Sequence, residues 1–232
     1  MMIGNKVCFF QTIDSTNTFM KQHISDYKHG DMLCARIQTA GRGRRDRTWV
    51  STDGNLHTSF LLDTTIQEYQ PFEVVMRSSI AVVQMLQQFD VDAMIKYPND
   101  IIVKRHKIAG MLIEKVDNYI IVGLGVNVSF GNTDMYQFHP SSILLETGRF
   151  VDYRDVLSSF IDAFNALASS SHEDITQRYK EYSYVIDKYV HIDGQEVLVK
   201  DITSAGELLV ERDDNTIITL TPNEVSLSNQ YE

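Results

Sequence analysis

Two spacings of apolar residues alternate along the chain. Phe72, Val75, Met76, Ser79, Ile80, Val83 and Leu86 recur three and four apart, which predicts a long helix ending before Asp90. Tyr153, Val156, Leu157, Phe160, Ile161, Phe164 and Leu167 form a second such stripe, and a further helix is expected over Ile175–Tyr184. Elsewhere the runs are short and strand-like: Lys6–Thr12, Met32–Gln38, Asn55–Leu62, Ala93–Lys96 and Ile101–Val103. Lys107–Val116 and Tyr119–Ser129 read as a hairpin about Asp117-Asn118. Ser15 or Thr16 suits the N-cap of a helix reaching about Tyr27. Gly30-Asp31 marks a turn, and a polar loop is expected from Gly131 to Pro140.

The pattern changes after Gln195. Four short β-like runs, Glu196–Lys200, Glu207–Arg212, Thr216–Leu220 and Glu224–Leu227, alternate with turn signals at Gly206 and Asp213–Asn215. This tail predicts a small β unit, too short to be very stable alone. A boundary near Asp187 gives a main domain over residues 1–186 and a β domain over 187–232. Strands mixed with helices, with hairpins among the strands, make the main domain α+β, a mixed sheet packed with helices.

Composition adds bounds. With 232 residues, 43% hydrophobic and 22% charged, the chain is an ordinary globular one that needs no disulfide staple. Cys8 and Cys34 lie in apolar runs and are expected as buried free thiols of a cytoplasmic protein rather than a disulfide. No segment approaches the roughly 20 apolar residues of a membrane span, and the start MMIGNKVCFFQTID has no signal-peptide core. The net charge of -10 argues against a nucleic-acid binder that relies on diffuse phosphate attraction.

Against that acidity stands GRGRRDRTW, Gly41 to Trp49, with four arginines in nine residues. Arg42, Arg44, Arg45 and Arg47 outnumber Asp46, and the guanidinium fork suits carboxylate and phosphate. Gly41 and Gly43 open the backbone to a ligand, and Trp49 offers a stackable face. A charge run is more often only a solvated turn. Four weaker signals accompany it. Lys96-Tyr97-Pro98-Asn99-Asp100 puts an amide and a carboxylate at a strand end, though Pro-Asn-Asp is also a turn sequence. Lys107-Ile108-Ala109-Gly110 opens a strand of small residues, where a lysine could face a phosphate or be an ordinary edge residue. In Gly123-Leu124-Gly125-Val126-Asn127 the glycines suggest a close backbone approach, without a dinucleotide fingerprint. Asp14-Ser15-Thr16-Asn17 is a complete N-cap, or a set of polar groups for a ligand head. The seven histidines and two cysteines show no metal spacing, and no GxSxG motif or P-loop occurs.

Ser15-Thr16-Asn17, Gln38, GRGRRDRTW, KYPND, KIAG and GLGVNV together, in that order, resemble biotin protein ligase over about residues 10 to 130. The family usually carries glycine at the position of Asp46 and tryptophan at that of Tyr97. The resemblance implies a class II synthetase-like catalytic domain with a small SH3-like C-terminal β domain. It implies that biotin and ATP, with Mg²⁺, give biotinyl-5′-adenylate, whose acyl group passes to a lysine of a biotin carboxyl carrier domain, such as that of acetyl-CoA carboxylase. Lys107, Arg44 and Asp100 would be catalytic, Asp100 taking the carrier lysine's proton. Ser15, Thr16, Asn17, Gln38, Gly41, Arg42, Gly43, Arg44, Lys107 and Gly110 would line the biotin site. Arg44, Arg47, Trp49, Asn99, Lys107, Gly125 and Asn127 would border ATP and the adenylate, with Trp49 over the adenine or stiffening the loop. No protein-held metal is expected.

Some members carry an N-terminal helix-turn-helix. Here the first catalytic strand begins within about ten residues of Met1, so we expect no DNA binding. An edge strand could pair with the carrier or with a second copy in a homodimer. Two other readings compete: a lipoate or octanoate transferase of the same fold, against which the arginine loop counts, and a non-catalytic nucleic-acid-binding module, against which the acidity counts.

Overall fold

Two kinds of connection build the main sheet. In the computed structural model, which describes residues 2–45, 47–130, 140–192 and 195–222, β1 (Val7–Ile13) leads through helix α1 (Thr16–Gln22) to β2 (Met32–Gln38). β1 and β2 are parallel, with Val7 opposite Met32 and Ile13 opposite Gln38, as a helical crossover allows. The rest of the sheet is antiparallel: β3 (Leu56–Asp63), then, after helix α2 (Pro71–Gln88), β4 (Met94–Lys96), β5 (Asp100–Val103), β6 (His106–Val116) and β7 (Tyr119–Val126). The order is β1-β2-β3-β7-β6-β5-β4, with β3 and β7 at the centre.

Side-chain alternation sorts the two faces. Phe60 and Leu62 of β3 belong to the large core under α2 and helix α4 (Tyr153–Ala166), whereas Leu61 packs with Met20, Tyr27, Leu33 and Ile121 on the α1 side. The functional groups named above lie toward this second face. Arg77 of α2 is buried and joins the helices: it pairs with Glu73 at 2.7 Å and donates to the carbonyls of Leu167 and Ser170 at the end of α4.

Helix α3 (Ile143–Thr147) was not anticipated from the pattern. At five residues it is too short to show a period, and it is held by its ends: Ser142 Oγ accepts from Leu145 N at 3.1 Å, and Gly148 closes it at φ 69°. The long helix predicted from Ser15 or Thr16 to Tyr27 is two pieces, α1 and a 3₁₀ turn at Ile24–Asp26, where Ile-Ser-Asp gives little helix propensity. Helix α5 (His172–Glu181) starts three residues earlier than its apolar stripe suggests, because Ser171 and Asp174 form a capping box. The hairpin's second strand stops at Val126 because Val128 N and Ser129 N donate to Asn55 Oδ1 instead of to a strand.

The tail forms a second, antiparallel sheet of β8 (Tyr189–Ile192), β9 (Gln195–Ile202), β10 (Leu208–Glu211) and β11 (Ile217–Leu220), in the order β11-β10-β9-β8. Strand β8 was missed, and the run Glu224–Leu227 and the loop at 131–139 lie outside the described residues. Val199, Ile202, Leu208 and Val210 share one core with Tyr97 and Tyr179, which supplies the burial that so short a sheet lacks. Both cysteines are free thiols; Cys8 is only half-buried, contrary to expectation, whereas Cys34 is buried, and burial pushes its thiol up to about 12. Among the described residues no helix is long and apolar enough to cross a membrane.

Candidate active site

A cavity of about 850 Å³ opens between α1, the arginine loop, the β4–β5 turn and the strands β6 and β7. One end is neutral and polar. Ser15 occupies the N-cap position of α1, but its side chain makes no capping bond. Gln38 at the end of β2 does that work: its Oε1 accepts from Thr16 N at 2.8 Å and Thr16 Oγ1 at 3.1 Å. Gln38 is fixed in turn by its own N–H to Ser51 Oγ at 2.9 Å, and Ser51 Oγ lies 3.4 Å from His57 Nδ1. His57 is buried, and burial lowers its imidazole to about 4, so it is neutral at pH 7. Asn17 is buried and donates to Leu112 O at 3.1 Å and to Glu114 Oε2 at 2.9 Å. Its Oδ1 accepts from Ser59 Oγ at 2.6 Å. A Cβ at position 123 would come within 2.3 Å of that Oδ1, which accounts for one of the strand glycines.

The arginine loop folds on itself. Gly43 N donates to Arg47 O at 2.7 Å, Trp49 N donates to Gly41 O at 2.9 Å, and Arg42 and Thr48 form a bridge. Arg45, at φ 52°, turns the tip. A Cβ on Gly41 would sit 2.5 Å from Trp49 O, so this glycine permits the loop's own ladder. It does not line the cavity, unlike the other site residues expected from the sequence. Trp49 lies over Gly125, where a Cβ would come within 2.4 Å of the indole, and Lys107 Nζ is 5.5 Å from its ring centroid. Arg44 is half-buried; it donates to Asn99 Oδ1 at 3.1 Å and to Pro222 O of the tail at 3.3 Å. Burial draws its guanidinium below the usual arginine range, with Arg45 adding to the effect, yet it remains charged. Asp46 lies outside the described residues.

The other end of the cavity is cationic. Lys107 Nζ is 2.6 Å from Asp100 Oδ1, and the pair lies across Gly110, where a Cβ would be 2.7 Å from Lys107 Cε. Tyr97 precedes a cis proline, and its buried hydroxyl donates to Gly206 O of the tail at 2.6 Å. Asn99 Nδ2 donates to Met111 O, and Asn127 Nδ2 donates to Lys107 O at 3.3 Å. The five motifs therefore converge on one cavity. Among the described residues, no three His, Cys, Asp or Glu side chains cluster as a metal site.

Lys96, Arg105, Leu112 and Leu124 also line the cavity and were not among the expected site residues. Lys96 ends a three-residue strand and faces Asp100 across the β4–β5 pair. Burial lowers its ammonium, with Asp100 opposing that effect. Its place inside KYPND was the available signal. The leucines carry none, because a lining leucine and a core leucine look alike in sequence.

Comparison with known proteins bears on the family and the fold. The model of the Biotin/lipoate A/B protein ligase family matches residues 9–128, just over half of the chain. The bifunctional ligase/repressor BirA of Escherichia coli (strain K12) is 26% identical over 226 residues, 90% of this chain and 70% of that protein. The biotin--[acetyl-CoA-carboxylase] ligase of Paracoccus denitrificans is 29% identical over 163 residues, 65% of this chain and 68% of that protein. The structure of biotin protein ligase from Aquifex aeolicus in complex with biotin and ATP superposes with a TM-score of 0.86 at 22% identity, covering 96% of this chain and 98% of that one. The last likeness is one of fold.

Proposed function

Since the chain belongs to the Biotin/lipoate A/B protein ligase family, we propose that it is an ATP-dependent biotin protein ligase. The observation that carries the choice of acid is the neutral polar end of the cavity, lined by Ser15, Thr16, Asn17 and Gln38. A urea head group presents donors and an acceptor that such a wall can match. An octanoyl tail or a dithiolane ring would displace water from those groups and offer no hydrogen bond in return. The relatives named biotin--[acetyl-CoA-carboxylase] ligase and the related structures with biotin and ATP or with biotinylated ATP support the same reading.

The reaction has two steps. A biotin carboxylate oxygen attacks the α-phosphorus of ATP, the bond to the β-phosphate oxygen breaks, and pyrophosphate leaves. The amine of a carrier lysine then attacks the carbonyl carbon, the bond to the phosphate oxygen breaks, and AMP leaves. Both steps need positioning and charge stabilisation rather than a protein nucleophile. Lys107 and Arg44 stabilise charge on the carboxylate and α-phosphate oxygens, and Gly110 lets Lys107 lie flat across the strand. Arg42 and Gly43 border the acyl chain, and Arg47 reaches the leaving pyrophosphate. Trp49, held over Gly125, forms a wall of the nucleotide site together with Asn127. Asn99 steadies Arg44 through their 3.1 Å contact. Asp100 receives the proton of the incoming amine, its carboxylate kept in place by Lys107 at 2.6 Å. Among the described cavity-lining residues Asp100 is the one carboxylate, so Mg²⁺ would enter as MgATP, held mainly by the phosphates.

The carrier is a biotin carboxyl carrier domain. Incubation with labelled biotin, ATP, Mg²⁺ and such a domain should place the label on one carrier lysine. Transfer of lipoate in place of biotin would overturn the assignment.

A further inference from the structure

Glu114 does not line the cavity, yet two residues that do so end on it. Its Oε2 accepts from Asn17 Nδ2 at 2.9 Å, and its Oε1 lies 3.3 Å from Arg42 Nη1. One carboxylate therefore joins α1 to the arginine loop. Strand alternation explains the placement: Gly110, Leu112 and Glu114 share one face of β6, and the first two line the cavity. Asn17 is held on its other sides by Leu112 O and Ser59 Oγ, so it is the fixed end of this link. Arg42 is the adjustable end, with its side chain 49% exposed against 17% for Glu114.

We propose that Glu114 is a positioning residue: it holds the Arg42 end of the loop against the acid-binding end of the cavity and so governs retention of the acyl-adenylate without touching it. This rests on the adenylate-forming reading above. The pair is half-exposed, so its contribution is modest and sensitive to salt.

Glu114→Gln keeps an oxygen for Asn17 and removes the charge opposite Arg42. Release of preformed biotinyl-5′-adenylate, followed by the fluorescence of Trp49, the chain's only tryptophan, should quicken about threefold. The KM for biotin should stay within about twofold of wild type, because the hydrogen bond to Asn17 survives. Arg42→Met should quicken release by at least that factor, since Arg42 also borders the acyl chain, and adding Glu114→Gln to it should change nothing further. In about 1 M salt, wild-type release should approach that of Glu114→Gln. Wild-type release from Glu114→Gln, or effects of the two substitutions that multiply, would overturn the proposal. A wild-type protein that forms no biotinyl-5′-adenylate would instead overturn the reading on which it rests.

Discussion

The two ends of the cavity are built on opposite principles. Thr16, Asn17 and Gln38 are uncharged, Thr16 and Asn17 are buried, and each is fixed by hydrogen bonds of 2.6 to 3.1 Å, Thr16 to Gln38 and Asn17 to Ser59, Leu112 and the Glu114 carboxylate. Around Arg44, Lys96, Asp100 and Lys107 the groups are charged and partly exposed, with one ion pair at 2.6 Å. A hydrogen-bonded polar wall fixes shape and would discriminate between ligands, since a guest without polar groups displaces water and gives no hydrogen bond in return. On the proposed reading, a half-open cationic end would hold phosphates of varying charge as the reaction proceeds, which a rigid neutral wall cannot do. That reading makes selectivity and rate separable in this site.

The sharpest break of that comparison is Lys107→Ala. It should reduce the rate of adenylate formation about 10²- to 10³-fold, the usual cost of losing one transition-state charge partner, while the KM for biotin changes little. Lys107 is partly exposed, so the fold should survive, and circular dichroism checks this. Single-turnover formation of the adenylate measures the rate. A wild-type rate would remove Lys107 from the chemistry.

At the neutral end, Gln38→Ala should act on binding instead. It strips Thr16 N and Oγ1 of their acceptor and should raise the KM for biotin about 30-fold, corresponding to about 2 kcal/mol, with kcat nearly unchanged. Equal losses in kcat and kcat/KM would mean that the two ends are not separable. This contrast also marks what the sequence could tell. The arginine loop, KYPND and KIAG stand out because charge and glycine are conspicuous at a strand end. Gln38 drew notice only through the family resemblance. The roles of Ser51, His57 and Ser59 could not be read at all, because Ser51 lies in a loop and a strand pattern does not say which side chains of β3 meet it. The fold divides in the same way. The long stripes of α2 and α4 were legible from their period, whereas the five-residue α3 and the four-residue β8 are fixed by caps and tertiary pairing.

The neutral end should also respond to pH, through His57. Burial lowers its folded-state pKa from 6.5 to about 4. The unfolded chain binds the proton more readily, so stability is full above about pH 6.5 and falls as pH drops toward 4. Between pH 7 and pH 5 the loss should be about 2 kcal/mol. His57→Gln, which cannot titrate, should flatten that part of the stability curve in urea titrations at several pH values. A slope unchanged by the substitution would assign the pH dependence to other groups. Salt should hardly affect this term, whereas it should weaken nucleotide binding at the cationic end.

The smallest effect is expected where the tail meets the cationic end. Tyr97 Oη donates to Gly206 O at 2.6 Å, and the ring packs against Phe72 with centroids 6.0 Å apart. Phe72 in turn lies against Gly206, where a Cβ would come within 2.1 Å of the ring. The same turn of chain that places Asn99 and Asp100 is therefore pinned to the second sheet. Tyr97→Phe keeps the ring and removes one hydrogen bond, leaving a buried carbonyl unmatched, for a cost of about 1 kcal/mol. If the tail only adds stability, the midpoint of thermal unfolding falls and both KM values stay put. If it also holds the KYPND turn in register, the KM for ATP should rise about threefold, with the KM for biotin unchanged. We expect the second outcome, because Arg44 reaches both Asn99 Oδ1 and Pro222 O and so ties the turn and the tail to one guanidinium. A rise in both KM values by the same factor would mean that the neutral end depends on the tail as well, and the division between the two ends would fail there.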